Sequence, residues 1–207
     1  MTKLDLSKKY KSYYSAKSKP EIITVEEANY LSITGTGDPS APAFAERIAT
    51  LYPVAYALKF AYKEEGKDFV VAKLEGQWWF DEGRYKDTTI ENAPLKIPRS
   101  EWNYRILIRL PEFITKSKLQ KAVANVVTKK KLDLANEIQF FTIQSTKAVQ
   151  MLHVGPFDKE PETLKVMAEF MNEYQFQRNG LHHEIYLSDF RKTIPSKLRT
   201  ILREPVK

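Results

Sequence analysis

The order of the predicted elements restricts the fold of this 207-residue chain more than any other feature. Short β-branched and aromatic runs predict strands, and apolar residues spaced three and four apart predict helices. The order strand–strand–helix–strand occurs near the start of the chain and again near its end. The predicted strands cover residues 21–25, 29–34, 69–74, 102–110, 139–143, 149–154 and 182–187, and the predicted helices 44–62, 115–126 and 161–174.

This repeated order indicates a pseudo-duplication. We therefore predict an α+β fold with two curved antiparallel sheets, each backed by a helix. Local signals mark the ends of the helices: Thr115 is a candidate N-cap, Pro161 suits a first turn, and Asn179-Gly180 is expected to end the last helix. The polar stretch 81–100 is predicted to be mostly loop.

The net charge of +7 is concentrated at the two ends of the chain. Residues 1–20 carry a net +5, residues 191–207 another +5, and the body between them is near −3. A nucleic-acid binder normally gathers positive charge on a folded face. Solvated ends are therefore favoured, with residues 1–20 as a loosely docked basic arm, and no specific nucleic-acid partner is expected.

Several protein classes are excluded by absent residues or motifs. The chain has no cysteine, so it has neither disulfides nor thiolate metal sites. It lacks an apolar run of about 20 residues for a membrane span, and its start lacks a signal peptide, which favours the cytoplasm. Adjacent His182 and His183 point to opposite faces of a strand and cannot chelate one metal ion together. We expect no metal and no cofactor.

A carboxylate among aromatic residues is the remaining candidate site. In the strand 182–187, alternation places His183, Ile185 and Leu187 on one face, which suits the side packed by a helix. His182, Glu184 and Tyr186 then face outward or into a cleft. A desolvated carboxylate beside aromatic rings can bind a cationic or flat ligand and act as a general base. The spacing of the residues alone favours the alternative interpretation, in which Glu184 is a solvated strand residue and the tryptophans fill the core.

Four segments resemble the GyrI-like small-molecule-binding family. They are residues 73–79 (KLEGQWW), 102–111 (WNYRILIRLP), 151–157 (MLHVGPF) and 182–189 (HHEIYLSD). The likeness extends over most of residues 20–206. It implies two strand–helix–strand–strand modules with a ligand groove between them, the first about 21–110 and the second about 111–207, so that 21–207 form one domain after the arm 1–20.

The resemblance also implies roles for individual residues. In drug-sensing regulators of this family a buried glutamate receives cationic drugs, and Glu184 matches its motif. A regulator is disfavoured because no DNA-binding helix-turn-helix precedes the domain. A stand-alone subgroup hydrolyses the cyclopropane of DNA-alkylating natural products such as yatakemycin. By analogy, Glu184 would activate water and Tyr104 would hydrogen-bond the substrate carbonyl. The implied ligand-binding residues are Trp78, Trp79, Trp102, His182 and Tyr186.

Two departures from the family pattern, Gln77 and Ala72-Lys73, leave the groove width and the substrate open. The expected partner is an aromatic small molecule or toxin, with no membrane association, and the protein is expected to be a monomer or a weak homodimer. Two alternatives stay open: a non-catalytic protein that sequesters drugs, and a module that binds a protein, as the gyrase inhibitors of the family do.

Overall fold

The computed structural model describes residues 3–207, which form eight strands and five α-helices. The strands are β1 (Glu21–Val25), β2 (Ala28–Thr36), β3 (Leu74–Trp79), β4 (Asn103–Arg109), β5 (Gln139–Ile143), β6 (Thr146–Val154), β7 (His182–Tyr186) and β8 (Arg199–Val206). The helices are α1 (Leu6–Lys9), α2 (Pro42–Glu64), α3 (Ala93–Lys96), α4 (Lys116–Lys130) and α5 (Glu160–Glu173).

All eight strands belong to one antiparallel sheet, in the order β1-β6-β8-β7-β3-β4-β2-β5. The α+β class is confirmed, but the prediction of two sheets is wrong. The two halves are joined by a ladder between β7 and β3, in which Glu184 lies opposite Gly76. A groove between separate sheets is therefore replaced by a continuous sheet surface at the centre of the molecule.

The sheet is curled because consecutive strands lie at its opposite ends. β1 and β2 are separated only by residues 26 and 27, yet they occupy distant places in the strand order. β5 and β6 are related in the same way, with residues 144 and 145 between them. Each of these two short connections joins strands near opposite ends of the sheet. The ends can come close enough for both connections only if the sheet rolls into a half-barrel.

The long helices pack on one face of the sheet, here called the helix face. In α2, buried residues recur at helical spacing: Phe44, Ile48, Leu51, Val54, Ala55, Leu58 and Tyr62. Pro161 lies in the first turn of α5, and the Thr115 side chain accepts a hydrogen bond from the Lys118 amide at 3.3 Å, as predicted. Within residues 3–207, none of the helices has the length and apolarity needed to cross a bilayer.

Three predictions about element ends need correction. Residues 69–73 are not a strand, because Phe69 bridges to Leu4 of the N-terminal segment and β3 begins only at Leu74. Helix α5 ends at Glu173, before Gln175 adopts a positive φ of 56° and well before Asn179-Gly180. Strand β8 was not predicted, because its sequence lies within the basic C-terminal end that was expected to be solvated.

The N-terminal arm packs tightly on the other face of the sheet, here called the arm face. Leu6, Tyr13 and Tyr14 are buried there against Ile185 and Ile201. A loosely docked arm is therefore wrong. The division of the chain at residue 20 stays a prediction.

Hydrogen bonds as well as apolar contacts fix the arm to the sheet. The Tyr13 hydroxyl donates to Glu75 at 2.6 Å, and Arg203 donates to the Tyr13 carbonyl at 2.9 Å. His183 Nε2 lies 2.8 Å from the same Glu75 carboxyl. Burial lowers the pKa of His183, although Glu75 acts in the opposite direction. His183 and Ile185 thus face the arm and not the helices, which corrects the predicted orientation of β7.

Candidate functional site

A pocket of about 290 Å³ opens on the helix face, over the central pair β7 and β3. The start of α2 borders it on one side and the start of α5 on the other, and the segment between β3 and β4 contributes a further wall. Its aromatic lining residues are Phe44, Trp78, Phe80, Trp102, Phe157, Tyr186 and Phe190. Rings that meet edge to face, such as Trp78 and Trp102 at 6.4 Å between centroids, build walls suited to a flat ligand.

Glu184 lies in this pocket because the alternation of β7 turns it toward the helix face. The residue is only 8% exposed, so its carboxylate is not in bulk solvent. His182 and Tyr186, its neighbours on the same face, also line the pocket. The structure therefore brings together the predicted residues Glu184, His182, Tyr186, Trp78 and Trp102.

A glycine opposite Glu184 allows two of these side chains to meet. Gly76 lies across from Glu184 in the ladder, and the Trp78 Nε1–H donates to the Tyr186 hydroxyl at 3.3 Å above it. A Cβ at residue 76 would lie 2.8 Å from that hydroxyl oxygen and 3.0 Å from Trp78 Nε1. Burial, followed by the charge of Glu184, raises the Tyr186 pKa well above its ordinary value, so the hydroxyl keeps its proton.

His182 connects two carboxylates at the floor of the pocket. Its Nδ1 contacts Glu204, and its Nε2 lies 3.3 Å from Glu184. Burial opposes protonation most strongly, but the Glu204 and Glu184 carboxylates outweigh it and raise the His182 pKa to about 10. Glu204 is itself fully buried, and its second oxygen lies 3.4 Å from Arg178 Nε. His182 is therefore an imidazolium at neutral pH.

A third carboxyl group, Glu160, faces the pocket from the first turn of α5. It is 8% exposed, and its Oε1 is buried without a hydrogen-bond partner. Burial and then the nearby Glu184 raise the pKa of Glu160 well above its ordinary value, with His182 acting in the opposite direction. The pocket thus combines a carboxyl group whose neutral form is favoured with ionisable neighbours.

Two predicted site residues lie outside the pocket lining. Trp79 follows Trp78 in β3 and therefore points to the arm face, where the Arg105 guanidinium lies 5.7 Å from its ring centroid. Tyr104 is 1% exposed, and its ring packs beneath Phe44 and Trp78 with centroid separations of 4.9 and 5.7 Å. Tyr104 supports the wall and is not among the residues that line the pocket, and its expected contact with a substrate carbonyl stays a prediction.

The profile of the GyrI-like small molecule binding domain matches residues 107–207. A crystal structure of an uncharacterized conserved protein from Listeria innocua shares 35% identity, covers 99% of this chain and 100% of its own, and superposes with a TM-score of 0.86. The chain belongs to the GyrI-like small-molecule-binding family. A hydrolase from Listeria innocua is also 35% identical, with the same coverage and a TM-score of 0.83.

More distant structures share only the fold. The C-terminal domain of EcmrR is 11% identical over 91% of this chain and 97% of its own, with a TM-score of 0.60. A comparison with curated proteins found no match. The fold is thus retained where most of the sequence has changed.

Sequence reasoning missed three polar groups of this GyrI-like pocket: Glu160, Arg178 and Glu204. Glu204 was hidden within a charged C-terminal stretch that was interpreted as solvated. Alternation in β8 places Thr200, Leu202 and Glu204 on the same face, and this pattern was the signal that could have indicated a buried strand. Glu160 and Arg178 carry no such local signal, because tertiary packing alone brings them to Glu184.

Proposed function

We propose that this protein binds flat hydrophobic small molecules, including cationic ones, in the pocket on its helix face and hydrolyses a strained electrophilic ring on them. The substrate class is the cyclopropanoid DNA-alkylating toxins, and the role is detoxification. The observation that carries the proposal is the Glu184 carboxylate, 8% exposed, at the floor of a pocket with aromatic walls. The hydrolase from Listeria innocua, similar over the whole chain, supports a hydrolytic reaction.

The walls account for the preference for flat ligands. A planar aromatic molecule that lies against the aromatic walls replaces the water on them, and each buried square ångström of apolar surface contributes roughly 25 cal/mol. Ionised Glu184 adds attraction for a cation, which the rings also favour through their negative π faces. The pocket volume of about 290 Å³ accommodates a ligand of a few fused rings.

Ring opening needs one base and one group that stabilises negative charge. Glu184 accepts a proton from a water molecule, whose oxygen attacks a cyclopropane carbon. The carbon–carbon bond breaks, and its electron pair moves into the conjugated dienone to form a phenolate, which then takes up a proton. A positioned base is typically worth about 10²–10⁴-fold in rate.

In this proposal His182, rather than Tyr104, stabilises the negative charge that develops on the substrate carbonyl oxygen. The imidazolium Nε2 is 3.3 Å from Glu184, so water held by the carboxylate and the carbonyl oxygen of a bound ligand both lie within the field of His182. Glu204 holds the other ring nitrogen and fixes the orientation of the imidazolium. His182 and Glu184 then act as one unit.

The experiment is the conversion of a cyclopropanoid substrate to its water adduct, followed by mass spectrometry. We expect Glu184→Gln to lower kcat by about 10²–10⁴-fold while ligand affinity changes much less. Glu162→Gln is the matched control, since its side chain is 72% exposed on the first turn of α5 and should leave the rate unchanged. A wild-type rate no higher than buffer, together with tight binding, would instead establish a sequestering protein.

A further inference from the structure

We propose that Glu160 carries a proton in the ligand-free protein and releases it when a cationic ligand enters the pocket, so that the binding of cations, but not of neutral ligands, is coupled to proton release. The inference rests on the proposed binding function and names the group that lets one pocket accept both kinds of ligand. Glu160 would then act beside Glu184 and Glu204, the two carboxylates that contact His182.

The placement of Glu160 is the first support. Its side chain lines the pocket from α5, opposite Glu184 on β7, and the residue is 92% buried. The Oε1 atom has no hydrogen-bond partner, so the group is held in the pocket without being used by the fold. A carboxyl group with a buried, unpaired oxygen favours its neutral form.

The charges that face Glu160 are the second support. Glu184 and Glu204 contribute two negative charges, and the His182 imidazolium and Arg178 contribute two positive ones within the same lining. With Glu160 neutral, the charges of this lining are balanced, and Arg178 is the most exposed group among them, at 33%. An ionised Glu160 would add an uncompensated charge next to Glu184, which is costly in a site of low dielectric constant.

The remaining neighbouring groups do not change this balance. Tyr186 lies beside Glu184 and keeps its proton. Arg99 lines the outer part of the pocket with its side chain 60% exposed, and Glu82, 76% exposed, faces Arg178 from outside the lining. Because both side chains are solvated, water and salt screen their effect on Glu160.

A cation disturbs the balance in the direction that ionises Glu160. Its charge near Glu184 lowers the free energy of a second carboxylate, and losing the Glu160 proton restores neutrality. A neutral flat ligand leaves the proton in place, where the carboxylic acid can donate a hydrogen bond to an acceptor on the ligand. By linkage, the affinity for a cation rises up to about tenfold per pH unit while ligand-free Glu160 is protonated.

The test compares N-methylacridinium with acridine, two planar probes of nearly equal shape that differ in charge at pH 7. Calorimetric titration in Tris and in phosphate gives the number of protons released, since the two buffers differ in ionisation enthalpy. We expect about one proton per N-methylacridinium bound and none for acridine. In Glu160→Gln we expect the release to disappear and the affinity to fall more for the cation than for acridine.

The possible outcomes separate the inference from the function on which it rests. If N-methylacridinium binds wild type without releasing a proton, the inference is wrong and the binding function stands. Release that persists in Glu160→Gln also overturns it, because the proton then comes from another group such as His182. If neither probe binds, the proposed function fails. Carboxyl ¹³C NMR of the ligand-free protein, with Glu160→Gln for assignment, must also show this group protonated at pH 7.

Discussion

Replacing Gly76 by alanine tests the packing at the floor of the pocket. The new methyl group would lie 2.8 Å from the Tyr186 hydroxyl oxygen and 3.0 Å from Trp78 Nε1, so these two side chains must separate. Their hydrogen bond of 3.3 Å is then lost, which costs about 1 kcal/mol. Overpacking adds a further cost of about 1–3 kcal/mol. The replacement of glycine by alanine within a strand stabilises the fold by about 0.5–1 kcal/mol. The expected net loss of stability is about 1–3.5 kcal/mol.

A double-mutant cycle identifies the cause of that loss. Tyr186→Phe removes the oxygen that the methyl group would strike, so Gly76→Ala should cost at least about 1 kcal/mol less in that background. The free energy of unfolding of the four proteins is measured by urea denaturation at pH 7. Gly83→Ala, in the segment after β3, is the control and should combine additively with Tyr186→Phe. If the effects of Gly76→Ala and Tyr186→Phe on the free energy of unfolding add to within about 0.5 kcal/mol, the reasoning is refuted.

Two further predictions concern buried groups on opposite faces of the sheet. The pKa of His182 is raised from 6.5 to about 10, so its contribution to stability is complete below pH 6.5 and is lost as the pH rises to 10. Wild type should therefore lose up to about 1.4 kcal/mol per pH unit across this window relative to His182→Gln, and parallel stability profiles would contradict this. On the arm face, Tyr13→Phe removes the 2.6 Å hydrogen bond to Glu75. It should lower the free energy of unfolding by about 1.5–3 kcal/mol, and an unchanged value in urea denaturation would show that the arm is not held there.

The three long helices and the face of β4 were predictable because their signals are local, whereas the short helices α1 and α3 were not predicted. The stripe of α2 follows from the spacing of Ile48, Leu51, Ala55 and Leu58, and alternation alone places Tyr104 and Ile106 on one face of β4. The continuous sheet was not predictable, since the register of Gly76 against Glu184 joins segments more than 100 residues apart. No local pattern encodes such a pairing.

The candidate site was likewise predictable only where a local pattern encodes it. The alternation in β7 correctly grouped His182, Glu184 and Tyr186, but the residues that set their charges, Glu160 and Glu204, come from other elements. Trp79 lies on the face opposite Trp78 because adjacent residues of a strand point to opposite sides, whereas the resemblance had implied one ligand-binding role for both.

Tryptophan fluorescence titration with a flat aromatic ligand tests the central claim most directly. Trp78 and Trp102 line the pocket, whereas Trp79 lies on the opposite face, so the chain provides its own control. With the signal corrected for absorption by the ligand, we predict saturable quenching in wild type and in Trp79→Phe. In the double variant Trp78→Phe, Trp102→Phe, quenching and affinity should both fall sharply. Saturable quenching that disappears in Trp79→Phe and persists in the double variant would place the ligand elsewhere and contradict the account.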